Sequence, residues 1–335
     1  MGEEAAMATR SEALSEELHS FWYRAVDLWA PFRPALHGYC RRLTGDLWDS
    51  EDLVQETLLR AFGQLGLLNH GITNPRAYLL RIATNLWIDE LRRRGHEQPA
   101  PPEHMDALAA PRETGPEESD LRAAGARLQR LSPQERAAVL LREMFELSLA
   151  EIAELLDTTV GAVKAALHRG RDRLREPDSL GPRRRAGASP ELLDRWIERY
   201  RARDLPGMAA LLLEDAVVEN LGLSLQYGRD FARGSKSNTL YYVLHGHGDW
   251  PERYVAEEAR YERAELDGEW LLLGIVRHRG KERLQVPVRI EERDGGIARM
   301  RFYGFCPETV RELGERLGMR VWTGLYRPPD PEPAP

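Results

Sequence analysis

The sequence has few cysteines, no long apolar run and no signal for export. Its two cysteines, Cys40 and Cys306, are far apart, and neither lies in a C-x-x-C or a His/Cys metal spacing. This pattern predicts a reduced, cytoplasmic protein without a structural zinc. No apolar run reaches the ~18 residues of a membrane span, and the acidic, alanine-rich N-terminus lacks the basic-then-apolar order of a signal peptide. We therefore expect no membrane association, no metal and no cofactor.

The sequence also has no excess of positive charge. Lysine and arginine total 47 against 54 aspartates and glutamates, for a net charge of −7. Binding to a nucleic acid must therefore depend on local basic clusters. The length of 335 residues is enough for roughly two or three domains, each with its own core.

The most specific stretch runs from Asp49 to Arg94 and predicts two helices. Ser50 or Asp49 can cap the first helix, and the acidic Glu51 and Asp52 in its first turn suit the helix dipole. Its apolar residues recur at steps of three and four along one stripe, and they are Val54, Leu58, Ala61, Phe62 and Leu65.

The second helix begins at Asn74-Pro75, with proline at the first helical position. Its buried stripe consists of Leu79, Ile82, Ala83 and Leu86. Trp87 is then predicted to be exposed near the basic run Arg92-Arg93-Arg94, a combination that suits binding to strand-separated DNA. The alternative is a solvated helix end with favourable C-terminal cations, and charge alone does not decide between the two.

The acidic block Asp49-Ser50-Glu51-Asp52-Leu53-Val54-Gln55-Glu56-Thr57 and the block from Asn74 to Arg94 together resemble a known family. They are similar to the second conserved region of the bacterial sigma-70 family, in its extracytoplasmic-function (ECF) branch. The resemblance covers most of Phe32 to Arg94 and implies that the acidic helix docks on the β′ clamp of the RNA polymerase core. The polymerase-facing residues that it implies are Asp49, Asp52, Gln55 and Glu56.

The same resemblance implies a role for the second helix and the loop before it. In the family these elements melt the minus-ten promoter element and hold a flipped base, which requires unstacking that base. The residues implicated by position are Asn85, Asp89, Arg92 and Arg93. Asn69, His70 and Asn74 are looser candidates in the loop.

A helix-turn-helix pattern occupies Leu121 to Arg175. Ser148-Leu149-Ala150-Glu151 is a capping box that opens a short helix, and Asp157-Thr158-Thr159 forms the turn. Thr159 can cap a further helix with a basic outer face. The residues predicted to face inward on that helix are Val160, Val163 and Leu167. Such a pair of helices is typical of a module whose second helix enters the major groove.

This module resembles the fourth conserved region of the same sigma factors, which reads the minus-thirty-five element. The sequence departs from the family at Asp157, where glycine is common, although aspartate tolerates a left-handed turn. It also has Ala165-Ala166 where Ser-Arg is common, so one expected DNA contact is absent. The remaining DNA-contact candidates are Lys164, His168, Arg169 and Arg171.

Composition shifts and the two resemblances predict the domain boundaries. The predicted segments are a tail at 1–15, sigma region 2 at 16–95, a linker at 96–120, sigma region 4 at 121–176, a linker at 177–188, a C-terminal domain at 189–327 and a tail at 328–335. The linkers are rich in proline or glycine and lack a sustained apolar period.

The C-terminal extension predicts helices followed by hairpin-linked strands. Asp267-Gly268 and Asp294-Gly295-Gly296 are strong hairpin signals. The predicted helices cover 190–200 and 205–213, and the predicted strands cover 216–221, 259–266, 269–277, 284–293 and 297–303. This order predicts an α+β cone with a curved antiparallel sheet. It resembles the nuclear transport factor 2-like fold, in particular the SnoaL-like domains fused to some ECF sigma factors.

The fold class is therefore multidomain, with two all-α sigma domains, a helical bundle and a helix-turn-helix, followed by the α+β cone. In the cone's relatives a pocket sometimes supports catalysis. Candidates for such a role are His245, His247, Asp249, His278 and Tyr303. The glycine-rich spacing of the first three also suits an exposed loop, and fold alone does not establish activity.

These observations lead to a hypothesis of an alternative, ECF-type sigma factor. It binds RNA polymerase core, directs promoter recognition and transcription initiation, performs no covalent chemistry and is modulated by its C-terminal domain. A separate anti-sigma protein, or a small ligand of that domain, stays open as a partner. One alternative is an isomerase- or cyclase-like enzyme of the SnoaL-like fold with a DNA-binding module. Another is a helix-turn-helix repressor, which would need neither the acidic helix nor the melting helix.

Overall fold

A computed structural model describes residues 28–65, 72–97, 127–174, 187–222, 224–229, 239–245 and 258–324. The predicted tails and most of both predicted linkers lie outside these residues. The chain divides into two compact units, Met1–Gly181 and Pro182–Pro335, called here the N-terminal and C-terminal units. Within the described residues, the search for a helix long and apolar enough to cross a membrane finds none.

Between residues 28 and 97, the described part of the chain forms three helices after a short 3-10 turn. The turn is Ala30–Phe32, and the helices are α1 (Arg33–Thr44), α2 (Leu47–Leu65) and α3 (Pro75–Glu97). The predicted cap of α2 is wrong, because Asp46 caps it instead of Ser50 or Asp49. The Asp46 carboxylate accepts the backbone N–H groups of Trp48 and Asp49, each at 2.9 Å. The sequence pattern missed this because α2 begins earlier than its acidic motif.

The predicted helix-turn-helix is present in the second part of the unit. Its helices are α4 (Pro133–Phe145), α5 (Leu149–Leu155) and α6 (Val160–Leu174). The Ser148–Glu151 capping box is confirmed, with N–H···O distances of 3.2 Å to Ser148 Oγ and 2.7 Å to Glu151 Oε2. Asp157 has a φ of 49°, as the left-handed turn requires. Thr159 caps α6 through the N–H of Ala162 at 3.1 Å.

One hydrophobic cluster joins the helices α1 to α6, the ones that the structure describes in the N-terminal unit. Tyr39 on α1 is fully buried, and its hydroxyl forms a hydrogen bond of 2.8 Å with the hydroxyl of Thr84 on α3. The same Tyr39 ring meets the edge of Phe145 on α4, with ring centres 5.6 Å apart. The three-helix part and the helix-turn-helix therefore share a core in this structure.

The C-terminal unit contains a six-stranded sheet in the order β2-β1-β6-β5-β4-β3. Its strands are β1 (Leu212–Asn220), β2 (Ser224–Tyr227), β3 (Glu258–Leu266), β4 (Glu269–His278), β5 (Lys281–Arg293) and β6 (Gly296–Phe302). β1 pairs with β6 in parallel, and the other neighbours are antiparallel. The sheet is therefore mixed, where the sequence predicted antiparallel pairing throughout.

Three hairpin turns connect β3 to β6. The turns at Asp267-Gly268 and Asp294-Gly295 have positive φ at both residues, which confirms the two predicted hairpins. The third turn, Arg279-Gly280, also has positive φ at both residues, at 53° and 71°. Arginine carries no turn signal, so this hairpin was not predictable from its residues.

The helices that the structure describes beside the sheet are α7 (Pro190–Arg201), α8 (Leu205–Ala210), α9 (Thr239–His245) and α10 (Pro307–Leu317). Trp196 on α7 is fully buried and meets Tyr261 of β3 edge-on, with ring centres 4.8 Å apart. Glu269 and Arg289 form a buried ion pair at 2.7 Å between strands β4 and β5. The α+β character is confirmed, helix α10 and strand β2 were not predicted, and the curved cone stays a prediction.

Candidate polymerase and DNA interfaces

The acidic residues of α2 separate into a buried group and an outward group. Glu51 is fully buried and forms an ion pair with Arg33 Nη2 of α1 at 2.5 Å. This pair connects α1 and α2. Gln55 donates to the same Glu51 carboxylate at 2.8 Å, which turns its amide inward. Asp49 and Asp52 are half-buried, whereas Glu56 is exposed and pairs with Arg60 at 3.0 Å. Of the four predicted polymerase-facing residues, Glu56 therefore has the most open side chain.

The structure adds an apolar residue to this surface. Leu59 is 51% exposed and lies one turn beyond Glu56 on α2. Asp52, Glu56, Leu59 and Gly63 follow one another at steps of three and four residues, so they share a face of the helix. Sequence reasoning missed Leu59 because it lies outside both the predicted apolar stripe and the acidic motif. Exposed hydrophobic side chains beside charged ones are typical of an interaction surface.

The predicted minus-ten residues lie on the exposed side of α3. Asn85, Asp89 and Arg92 follow one another at steps of four and three residues and are all exposed. Arg92 lies 3.5 Å from Asp89, and Arg93 lies 2.8 Å from Glu90. Asn74 accepts the N–H of Ala77 at 3.0 Å and caps α3. Asn69 and His70 lie outside the described residues.

The predicted exposure of Trp87 is wrong. Trp87 is only 5% exposed. Arg136 of α4 lies over it, with the guanidinium carbon 5.1 Å from the ring centre. This contact joins residues from separate modules, so the periodicity of α3 could not reveal it.

Arg136 itself is almost fully buried and bonds to backbone and side-chain oxygens. It donates to the carbonyls of Leu43 and Gln129, the latter at 2.9 Å, and to the Gln129 side chain at 2.8 Å. Burial lowers its pKa to about 10. The carbonyl of Leu43 belongs to the last turn of α1, where a helix dipole favours a cation. Arg136 therefore fixes α4 against both α1 and α3.

On α6 a buried face is opposite an exposed face of basic and small residues. The buried residues are Val163, Ala166, Leu167 and Gly170. The predicted DNA contacts Lys164, His168, Arg169 and Arg171 are all exposed. Val160 was predicted to face inward, but it is 39% exposed, because the helix begins there. Ala166 is buried, so of the Ala165-Ala166 pair only Ala165 is on the outer surface.

Several basic residues of α6 are oriented by carboxylates. Arg169 and Arg173 bond Glu135 of α4 at 2.9 and 2.5 Å, and Glu135 is almost fully buried. Burial alone would raise the pKa of Glu135, but bonds from Arg169 and Ser132 and the charge of Arg173 outweigh burial and lower it. Arg171 bonds Glu143 at 2.7 Å. These pairs attach α6 to α4 while leaving the arginines about half exposed.

A depression of about 460 Å³ opens on this basic side of α6. It is lined by Arg142, Leu149, Lys164, Leu167, His168, Arg171 and Asp172. Arg142 comes from α4 and donates to the carbonyl of Leu147 at 2.7 Å. It was missed because the sequence analysis sought DNA contacts on the last helix, α6, and Arg142 is on α4. Its position adds a fourth basic side chain to the three that α6 supplies to this surface.

Of the catalytic candidates of the C-terminal unit, the two whose side chains the structure describes, His278 and Tyr303, lie at separate places on the sheet. His278 stacks on Trp322 with ring centres 5.2 Å apart, at the end of β4. Tyr303 is buried beyond β6, where its N–H donates to the carbonyl of Pro287 at 2.9 Å. Pro287 of β5 pairs with Leu273 of β4, which lies five residues along that strand from His278. Tyr303 is therefore far along the sheet from His278. His247 and Asp249 lie outside the described residues, as does the side chain of His245. Over the described part of the chain, no group of three or more metal-ligating side chains occurs.

Comparisons with known proteins agree with the two sigma-like modules. The family model for Sigma-70 region 2 matches residues 28–97, and that for Sigma-70, region 4 matches residues 121–174. SigW of Bacillus subtilis, an ECF RNA polymerase sigma factor, is 30% identical over 162 residues, covering 43% of this chain and 83% of SigW. The sigma factor CarQ of Myxococcus xanthus is 33% identical over 159 residues, covering 45% of this chain and 86% of CarQ.

These matches identify a sigma-70 family protein with regions 2 and 4. The chain belongs to the ECF sigma factors of that family. It is also similar to the ECF sigma factor SigG of Mycobacterium tuberculosis, at 34% identity over 220 residues, covering 56% of this chain and 59% of SigG. The chain thus spans little more than half of the length of that relative. The crystal structure of SigJ from the same organism covers 83% of this chain and 95% of SigJ, at 23% identity and a TM-score of 0.32.

Proposed function

We propose that this protein binds the core of RNA polymerase and directs initiation at a specific set of promoters. The observation that carries the proposal is how region 2 and region 4 distribute their exposed charge. Acidic residues and Leu59 share the open face of α2, whereas arginines end α3 and basic residues cover α6. A protein with one acidic and two basic surfaces fits a partner that carries positive charge and a duplex that carries negative charge.

The open face of α2 is the proposed polymerase surface. Asp52 and Glu56 supply charge that steers association, and Leu59 supplies apolar area that the partner can bury. Gln55 contributes less directly, because its amide bonds the buried Glu51. The clamp of the core polymerase is the partner that the family resemblance implies for this face.

Reading two promoter elements requires the regions to separate. The minus-ten and minus-thirty-five elements are about 25 base pairs apart, or ~85 Å along B-DNA at ~3.4 Å per base pair. Helices α3 and α6 have 23 and 15 residues, or ~35 and ~22 Å at about 1.5 Å per residue. Both pack on one core here, so this arrangement is too short for both elements. The proposed active form is therefore an opened one, stabilised on core polymerase.

For the C-terminal unit, we propose a SnoaL-like cone that modulates the sigma regions. Its helices α7 and α8 precede the sheet, and strands β3 to β6 follow one another as hairpins, which supports that fold. Truncation near Ala188 tests the modulation, because it removes the C-terminal unit and leaves regions 2 and 4. Promoter activity that is the same with and without this unit would contradict the proposal.

Footprinting with reconstituted polymerase tests the central function. Core polymerase with the full chain is expected to protect two DNA segments about 25 base pairs apart upstream of a start site. Core polymerase alone is the control and is expected to protect neither. Protection of a single palindromic site by the chain without polymerase would instead indicate a repressor.

A further inference from the structure

We infer that α6 reads thymine methyl groups through the apolar side chains of Val160 and Ala165. The inference rests on the proposed function, in which α6 enters the major groove of promoter DNA. It names the bases that this particular helix prefers. The supporting observations are the orientation of α6, the chemistry of its exposed residues and their separation from the core.

The buried residues of α6 fix which side faces outward. Val163, Ala166 and Leu167 are 1%, 6% and 5% exposed and pack against the rest of the unit. At about 100° per residue, an exposed arc begins with Val160 at the edge of the buried face and continues through Lys164, His168 and Gly161 to Ala165 on the far side. The first two turns of this arc are the part of a recognition helix that reaches base edges.

Most of this reading surface has no hydrogen-bonding side chain. In the first two turns of the arc, Lys164 is the side chain that can donate, whereas Val160, Gly161 and Ala165 present only carbon. Hydrogen bonds therefore distinguish few bases here. The remaining sequence-specific feature in the major groove is the C5 methyl group of thymine, which apolar side chains recognise.

The two apolar side chains have no evident structural duty. Within the described residues, neither Val160 nor Ala165 belongs to the core cluster or to the hydrophobic side chains packed against it. Val160 is one of the exposed large hydrophobic residues of the chain. Exposed apolar groups beside Lys164 and His168 suit a partner that combines methyl groups with phosphates, as duplex DNA does.

Gly161, which lies between Val160 and Ala165 on the arc, favours a close approach of α6 to the DNA. A Cβ at this position would have its nearest neighbour, Thr159 Oγ1, at 3.8 Å, so the fold itself has room for a side chain. The absence of one leaves the centre of the arc flat. Val160 and Ala165 at the two sides can then reach separate thymines.

The experiment uses the full chain with core polymerase and duplexes selected from a random library. Each thymine of the selected upstream element is replaced in turn by uracil, which removes the methyl group and keeps the hydrogen-bonding pattern. Binding is expected to weaken about fourfold at one or two positions, the factor that one buried methyl-sized group contributes. At one of these positions, Val160→Ala is expected to abolish the difference between thymine and uracil.

Ala165→Ser is expected to reduce the difference at another position. Ala162→Ser is the matched control, because Ala162 is exposed but lies outside the arc, and it should leave every thymine preference unchanged. Selective binding that is insensitive to uracil throughout the element would overturn the inference alone. Failure of the chain to bind core polymerase, or to select any duplex, would overturn the proposed function and this inference with it.

Discussion

The guanidinium of Arg136 in region 4 lies 5.1 Å from the ring centre of Trp87 in region 2. The same guanidinium donates to the carbonyl of Leu43, also in region 2. Phe145 adds a second link, because it packs on Tyr39 and beneath Arg76, whose guanidinium carbon is 4.4 Å from the ring centre. Regions 2 and 4 are thus connected by polar and aromatic contacts in addition to their shared hydrophobic core.

Replacing Arg136 tests that connection. Arg136→Met keeps an unbranched side chain but removes the guanidinium N–H donors. The carbonyls of Leu43 and Gln129 then lose their hydrogen bonds from this side chain. We expect a loss of about 2 to 4 kcal/mol in the free energy of unfolding of this unit, measured by urea denaturation. The emission of Trp87 should shift to longer wavelength, and this shift should be absent when Trp87→Phe is introduced as well.

Arg81→Met is the matched control on the exposed side of α3. It removes an arginine without unpairing buried carbonyls, so we expect a change within about 0.5 kcal/mol. Equal stability of the Arg136 and Arg81 variants would contradict the assigned role of Arg136.

Charge reversal on α2 tests the polymerase surface. Asp52→Lys with Glu56→Lys should weaken binding to core polymerase by roughly tenfold or more, since like charges placed against a partner cost several kcal/mol. Binding is measured by titration of labelled core polymerase with the full chain. Glu191→Lys with Glu198→Lys reverses two exposed acids of α7 in the C-terminal unit and should leave the affinity unchanged. Equal loss in both variants would indicate a general charge effect.

The arginines at the end of α3 should govern the salt dependence of promoter binding. Arg92→Ala with Arg93→Ala removes two exposed cations, each able to neutralise a phosphate. Each phosphate contact contributes ~0.7 to ~0.9 to the slope of log K against log salt. Losing two contacts should therefore make the slope shallower by about 1.4 to 1.8. Fluorescence anisotropy of the holoenzyme on labelled promoter DNA measures this slope. An unchanged slope would contradict the assignment of these arginines to the DNA-binding surface.

Glu135 should make the helix-turn-helix sensitive to acid. Its pKa is lowered in the folded state from the ordinary value of 4.5. It therefore contributes stability above that value, and the contribution is lost as the pH falls through the lower, folded pKa. Glu135→Gln should cost about 2 kcal/mol at pH 7, because bonds to a buried charge are lost.

Thermal unfolding of the wild type and Glu135→Gln across the pH range below 7 checks this prediction. The difference between their midpoints should shrink as the pH falls below about 4.5. Glu143→Gln breaks the exposed pair with Arg171 and should have little effect at any pH. A constant difference for Glu135→Gln down to acid pH would contradict the assigned linkage.

Local features of the fold were predictable from the sequence because their causes are local. The Ser148–Glu151 box, the Thr159 cap and the hairpin at Asp267-Gly268 each depend on residues within a few positions of one another. The strands β3 to β6 were predicted from their sequence patterns, with turn residues marking two of the three hairpins. The acidic and basic clusters of the sigma regions were read from the residues themselves, and the resemblance supplied the roles proposed for them.

Features that depend on distant contacts were not predictable. Trp87 is buried by Arg136, which belongs to another module. The parallel pairing of β1 with β6 joins the first and the last strand in sequence, and no turn motif signals it. Gln55 was assigned to the polymerase surface, but its amide turns to Glu51, a carboxylate held by Arg33. Periodicity gives a residue's face on its helix but not the partner that covers it.

Run-off transcription tests the central claim most directly. Purified core polymerase is combined with the full chain and with the DNA upstream of its own gene, with core polymerase alone as the control. We expect a transcript of defined length that depends on the chain and is lost with the Asp52→Lys and Glu56→Lys variant. A chain that neither binds core polymerase nor yields a transcript from this or any selected promoter would contradict the assignment as an initiation factor.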